Sequence, residues 1–312
     1  MGVRYAWRMQ SSSHFSAPDI PVGAPATTWA VRDVMALMES WYPAATAQSW
    51  DRVGLIVGDP DAPVRSILLA LDPTAAIADQ AVAGPCSDGN SYDMVITHHP
   101  LLLRGASFLP VTDPKGRVVT TLIRSGIALF NAHTNADVAC DGVATALADL
   151  IGLRDTVPLE PCGTDTEGRE IGLGRVGSVA ETTLGSFADH VASVLPAGPS
   201  GLFVGGDEAM PVRRVAVLGG AGDSALESAR AAGVDVYLTA DLRHHPASEH
   251  LEGGAPALLC GSHWATESPW LPVLARKLRD AASAADVELH VEVSTIVTEP
   301  WTSHRVTQGE LA

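Results

Sequence analysis

Apolar positions recur along this chain in two rhythms. From Val31 to Trp41, the side chains Val31, Val34, Met35, Leu37 and Met38 fall at mainly helical spacing and Pro43 closes the segment, which predicts a helix. Ile56 to Asp59 reads as a short strand running into a turn. Continuous apolar runs then alternate with helical stretches: Val64 to Asp72 is a strand, Thr74 to Val82 a helix, Met94 to Thr97 a strand, Arg117 to Ser125 a helix and Ile127 to Asn131 a strand. The same succession returns later. Val212 to Leu218 is a strand, Ser224 to Ala232 a helix closed by Gly233, Val236 to Thr239 a strand, Pro246 to Leu251 a short helix and Ala257 to Cys260 a strand. Elements matching in type and order read as an internal duplication. Strands alternating with helices predict mainly parallel sheets covered on both faces, so the fold class is α/β with two pseudo-symmetric halves.

This pattern divides the chain into a flexible N-terminal extension (1–28), a first α/β half (29–154), a connecting segment (155–211) and a second α/β half (212–312). Within the connecting segment, Gly172 to Ser178 reads as an extended strand and Thr183 to Leu195 as a helix. The glycines there are not followed by Lys-Ser or Lys-Thr, so they are not a phosphate loop of the Walker type. Gly219 to Ser224 lies between strand and helix, where it either holds an anion or makes a tight turn that needs glycine.

Composition narrows the class. At 312 residues and 46% hydrophobic the chain can bury a large core. Mean hydropathy is +0.15, yet no stretch approaches the roughly 18 apolar residues of a membrane span. Only 20 Lys and Arg face 36 acids, for a net charge of −16 with no basic run, which argues against general nucleic-acid binding. Cys86, Cys140, Cys162 and Cys260 lie far apart with no C-x-x-C spacing, as expected for small buried residues in a reducing cytoplasm. Residues before Ser11 carry Arg4 and Arg8 but no apolar core of a secretory signal.

The chemistry sits at the strand ends. Met94 to Thr97 runs into His98-His99-Pro100, and Ala128 to Ala132 runs into His133-Thr134-Asn135-Ala136-Asp137. In the second half, Val236 to Thr239 leads to Asp241 and His244-His245-Pro246, and Ala257 to Ser262 leads to His263-Trp264-Ala265-Thr266-Glu267. A buried His98–His99 pair without a metal would carry ring nitrogens that a core rarely satisfies, so both read as ligands. His263 and Glu267 are spaced to share one helix face and to bind one ion or two neighbouring ions. Asp137 matches Glu267 as a ligand, the alternative being an Asx-turn or helix cap. His133 reads as a ligand or as a support for the ligands. His244 and His245, with Asp241 and His250 nearby, either line a substrate cleft or cap the strand end.

Taken together, Trp50-Asp51-Arg52-Val53-Gly54-Leu55-x-Val57-Gly58, Thr97-His98-His99-Pro100-Leu101, His133-Thr134-Asn135-x-Asp137, Thr239-x-Asp241-x-x-x-His245 and Gly261-x-His263-x-Ala265-Thr266-Glu267 resemble the NIF-three-like family. The resemblance spans roughly Val31 to Val297 and departs from the usual pattern at Arg52 and Trp264. It implies a dinuclear metal centre with His98, His99, Asp137, His263 and Glu267 as ligands. It also implies a toroidal homohexamer, the absence of a large domain that some relatives insert between the halves, and a catalogue name of GTP cyclohydrolase I type 2 homologue.

Three imidazoles and two carboxylates without a thiolate suit two divalent cations chosen among Zn, Fe, Mn, Co and Ni. Two such cations outweigh the two carboxylates, so the site is locally positive and suits a small-molecule substrate, including a phosphorylated one. A metal-dependent hydrolase of a nucleotide or related heterocycle follows, with His133 or His245 as the acid–base residue. The alternative is a non-catalytic metal-binding, metal-delivery or scaffold protein.

Overall fold

The structure, a computed structural model, describes residues 28–85, 89–254 and 256–307. The expected N-terminal extension lies outside the described residues except for Thr28, as does Cys86. No helix among the described residues is long and apolar enough to cross a membrane.

Two mixed sheets carry the fold. In the first, strands Ser66–Ala70, Met94–Thr97 and Ala128–Asn131 run parallel in that order. Gly54–Val57 closes one edge antiparallel to Ala128–Asn131, and His290–Val293 closes the other parallel to Ser66–Ala70. In the second sheet, Pro211–Ala221, Val236–Ala240 and Ala257–Gly261 run parallel in the same order, and Phe203–Gly205 is antiparallel on the corresponding edge. Both sheets thus carry three parallel strands in chain order with an antiparallel strand beside the third. Arg154–Thr164 and Glu170–Thr183 extend the second sheet as a long antiparallel pair beside Pro211–Ala221.

Alternation along each buried strand sorts side chains into two layers. Ile67 and Leu69 pack with helix Val31–Trp41 and with Trp270, Leu274 and Leu278 of helix Trp270–Ala284. Leu68 and Ala70 point the other way, onto helices Ala75–Ala83 and Pro114–Arg124. In the second sheet Val215 and Val217 meet helix Leu184–Val194 and Leu147 of helix Val143–Leu150, while Ala216 meets helix Leu226–Ala231. The last long helix of each half therefore packs on the sheet of the other half. A chain that exchanges helices in this way brings the ends of the two sheets together.

Most elements lie where the apolar rhythm predicts them, and two differences have local causes. Pro114–Arg124 starts ahead of Arg117 because the Asp113 carboxylate accepts from Lys115 N and Gly116 N while Pro114 sits where no N–H is needed. His244–Glu252 starts ahead of Pro246, since a proline is tolerated in a first turn. His244 and His245 therefore stand on a helix, not at the strand end.

Candidate metal centre

The C-terminal ends of the parallel strands of both sheets converge on one cluster, the position at which open α/β sheets place their sites. His98 and His99 follow strand Met94–Thr97. The Thr97 hydroxyl donates to His99 O at 2.8 Å, and His99 N donates to Leu71 O at 2.9 Å, which fixes the turn. Ala128–Asn131 delivers the single helical turn Thr134–Val138, and Ala257–Gly261 delivers the equivalent turn His263–Glu267, capped by Ser262. The side chain of Asn135 makes the local turn, accepting from His133 N and donating to Tyr42 O, which leaves Asp137 free of a capping duty.

The structure brings His98, His99, His133, Asp137, His263 and Glu267 together. His98 Nε2 lies 3.6 Å from both Asp137 Oδ1 and Glu267 Oε1. His263 Nε2 lies 3.1 Å from Glu267 Oε1 and 3.2 Å from His99 Nε2. The candidate donor atoms of His98, His99 and His133 lie within 4.8 Å of one another, as do those of His99, His263 and Glu267. His99 belongs to both groups. His98 and Glu267 are buried, and His98 Nε2 has no hydrogen-bond partner. Glu267 Oε2 comes within 3.0 Å of His99 Nε2, but not in hydrogen-bonding geometry, and is likewise unpartnered.

Each histidine is held from behind. His98 Nδ1 faces Ala132 O at 3.0 Å, His99 Nδ1 faces Asp72 Oδ1 at 2.7 Å, His133 Nδ1 faces Asp51 Oδ1 at 2.9 Å and His263 Nδ1 faces Asp241 Oδ2 at 2.7 Å. A carbonyl or carboxylate only accepts, so every Nδ1 carries the proton and every neutral ring turns its Nε2 lone pair inward. This is the arrangement of metal-ligating histidines, whose second nitrogen donates to an oxygen outside the centre. Orphaned buried donors and inward lone pairs fit a divalent cation.

The electrostatics agree. Burial opposes charge on Glu267, but the imidazoles of His98, His263 and His99 outweigh it and hold the carboxyl well below its usual range. Burial would lower the His99 pKa, yet Asp72 and Glu267 raise it to about 10. The same contest, with Glu267 and Asp241 as the carboxylates, raises His263 to about 9. Burial, reinforced by Glu267, pushes Asp137 up to about 7 against the opposing His98. In the absence of a metal the cluster retains protons on His99, His263 and Asp137 beyond their ordinary ranges.

Glycine makes room for it. Gly220 has φ +70°, and a Cβ there would lie 2.1 Å from Glu267 Oε1 and 3.0 Å from His263 Nε2. Gly222 is pressed against Thr239 and Tyr237 in the same way. Close packing therefore accounts for this glycine-rich segment; the helix after it, Leu226–Ala231, is short.

His245 is not part of the cluster. It is exposed on the first turn of its helix, with its ring against His244. His250 is buried between Arg230 and Pro256 O, where it joins helix to loop. Sequence reasoning missed Asp72 and the role of Asp51. A signal existed in the position of Asp72 directly after an apolar strand and in the place of Asp51 within the Trp50–Gly58 motif.

Residues 29–300 match the family described as Duf34/NIF3 (NGG1p interacting factor 3). A Streptomyces coelicolor protein named GTP cyclohydrolase 1 type 2 homolog is 46% identical over 273 residues, covering 87% of this chain and 93% of that protein. A Mycobacterium leprae protein of the same name is 33% identical over 373 residues, covering 86% and 94%. That alignment is longer than this 312-residue chain, so the relative carries residues that this chain lacks. The solved structure of a Bacillus cereus protein related to NIF3 has a TM-score of 0.81 at 24% identity, covering 89% of this chain and 99% of that one, a likeness of fold. With the family pattern matched along nearly all of its described length, the chain belongs to the Duf34/NIF3 family.

Proposed function

We propose that this protein is a metal-dependent hydrolase of a small nucleotide or related heterocycle, built around two divalent cations held by His98, His99, Asp137, His263 and Glu267. The observation that carries the reading is the common orientation of the histidines, each giving its Nδ1 proton to an outer acceptor and its Nε2 to one buried cluster. His98, His99, His133, Asp137, His263 and Glu267 offer more donors than a tetrahedral cation takes, which supports two cations over one. Cations bound there would supply Lewis acidity, making water a stronger acid and stabilising a developing oxyanion.

The remaining work falls to the chain. Asp51 holds the Nδ1 proton of His133, so His133 exchanges protons through Nε2, which faces the cluster. We assign it the acid–base role and keep His245, exposed on its helix outside the cluster, as a second candidate. Trp50 is 55% exposed and stands edge-on to His133, with ring centroids 6.0 Å apart. Its free face offers a flat apolar wall to a planar ring. The name of the relatives supports a guanine nucleotide as the first substrate to try. We read the assembly as a cytoplasmic homohexamer. Phe203 and Val204, exposed on the edge strand of the second sheet, support an association surface there.

The deciding experiment incubates metal-reconstituted protein with GTP and a panel of nucleosides, nucleotides and phosphodiesters, following products by chromatography and formate by a coupled assay. Turnover that disappears on chelation and returns with metal is expected. A fully loaded protein that consumes nothing in the panel would leave the metal-delivery reading in place of the hydrolase.

A further inference from the structure

The chain after strand His290–Val293 belongs to the second half in sequence but runs over the first sheet. Ser294 N donates to Leu69 O at 2.8 Å, and its hydroxyl donates to Gln80 Oε1 at 2.6 Å. Ile296 packs against the layer formed by Leu68, Ile77 and Leu101. The Thr298 hydroxyl then donates to Asp72 Oδ2, while Asp72 Oδ1 takes the Nδ1 proton of His99. A carboxylate held through one oxygen can still swing about its side-chain torsions. Held through both, it fixes the plane in which the imidazole must lie.

The same device occurs elsewhere in the cluster. Asp51 gives Oδ1 to His133, and its Oδ2 accepts from Thr134 N at 3.0 Å and from the Thr134 hydroxyl at 2.5 Å. His98 needs no such brace, because its acceptor is the backbone carbonyl of Ala132. Two Thr–Asp–His chains thus aim two rings at the centre, and one of them is closed by a residue 226 positions away from its aspartate.

We propose that Thr298 is a positioning residue of the metal centre: by tying Asp72 it holds His99, which lies between the two groups of donor side chains, with its Nε2 lone pair directed into the centre. The C-terminal segment of the second half thereby sets the geometry of a ligand of the first. This rests on the metal-centre reading, and the test separates the two.

Thr298→Val removes the hydroxyl at nearly constant volume, Thr298→Ser keeps it, and Ser294→Ala loosens the segment without touching Asp72. Zinc affinity is measured by competition with a chromophoric chelator. The Nδ1–H resonance of His99 is followed by nitrogen-edited NMR in the metal-free full chain. The Val variant should bind its tightest zinc about 10- to 100-fold more weakly, the range for losing an outer partner of a ligand. Its His99 Nδ1–H signal should shift or broaden. The Ser variant should stay within about three-fold of wild type, well inside that range, and Ser294→Ala should behave likewise. Wild-type affinity and an unchanged His99 signal in the Val variant would overturn the assignment. So would an equal loss in Ser294→Ala, because docking of the segment as a whole would then explain the effect. If the wild type itself binds no zinc, the metal-centre reading fails, and an unmoved His99 resonance in the Val variant then removes the brace as well. Thr298→Ala serves as the deletion if the Val variant does not fold.

Discussion

Gly220 and Glu267 are in contact through the absence of a side chain: a Cβ on Gly220 would stand 2.1 Å from Glu267 Oε1. The backbone of the glycine segment is one wall of the cluster, and a single methyl group there occupies space that the carboxylate needs. Gly220→Ala should weaken metal binding at least as strongly as the loss of an outer partner, about 10- to 100-fold. Gly126 gives the control, with φ +68° and nothing within 4 Å of its would-be Cβ. Gly126→Ala should cost roughly 1–2 kcal/mol of backbone strain and leave metal affinity unchanged. Isothermal titration with zinc on both variants decides. Equal affinities would remove Gly220 from the wall of the centre.

Metal binding should release protons and tighten as pH rises. His99 and His263 hold protons up to about 10 and about 9, and both must give up Nε2–H to ligate. At pH 7.5 loading should therefore release on the order of one to two protons per chain, measurable with an indicator in weak buffer. Zinc affinity that is flat between pH 6.5 and 9 would contradict this assignment.

The metal-free protein should show the opposite slope. The folded-state pKa values of His99 and His263 are raised above 6.5, so their contribution to stability is complete below that pH and is lost as pH rises through about 9 to about 10. Asp137, raised from 3.8 to about 7, also binds its proton more tightly when folded, so stability falls with rising pH across that lower window. Glu267, held below its usual range, supplies stability above 4.5 that goes only in stronger acid. Chelator-treated protein should melt at progressively lower temperature from pH 5 to 9, and added zinc should cancel much of that trend. A chelated protein whose melting temperature rises over this range would refute the titration scheme.

His133 and His245 should separate by experiment. His133→Ala should keep most of the bound metal and reduce turnover about 10²- to 10⁴-fold, the usual weight of an acid–base residue. His245→Ala should leave metal content intact. Metal analysis beside kinetics distinguishes the roles. Loss of an ion in His133→Ala would make His133 a ligand, as its place beside His98 and His99 permits.

Assembly is tested at the exposed edge strand. Phe203→Asp places a charge on an apolar edge beside Ala257–Gly261 and should lower the oligomer mass seen by light scattering. A wild-type monomer at micromolar concentration would end the hexamer reading.

Much of the fold was legible because apolar periodicity is a local signal. Helix Val31–Trp41 and strands Met94–Thr97 and Ala128–Asn131 lie where the pattern placed them. Helix Val143–Leu150 and strand His290–Val293 were not singled out, since which sheet an element joins depends on packing that no short window contains. Within the site, His98, His99, Asp137, His263 and Glu267 stood out by type and spacing after apolar strands. Asp72 did not, because an aspartate that ends a strand looks the same whether it turns to solvent or to an imidazole.

The sequence by itself determined the repeated strand–helix order, the residue types of the cluster and their placement at strand ends, because these depend on periodicity and on chemistry carried within a few residues. Only the tertiary structure decided that His99 and His263 approach to 3.2 Å, that Gly220 leaves space for Glu267, and that Thr298 reaches Asp72. Those relations join residues far apart in the chain. They exist because each half sends its last helix to the other sheet, which buries apolar surface on both and leaves the two sets of strand ends facing one another.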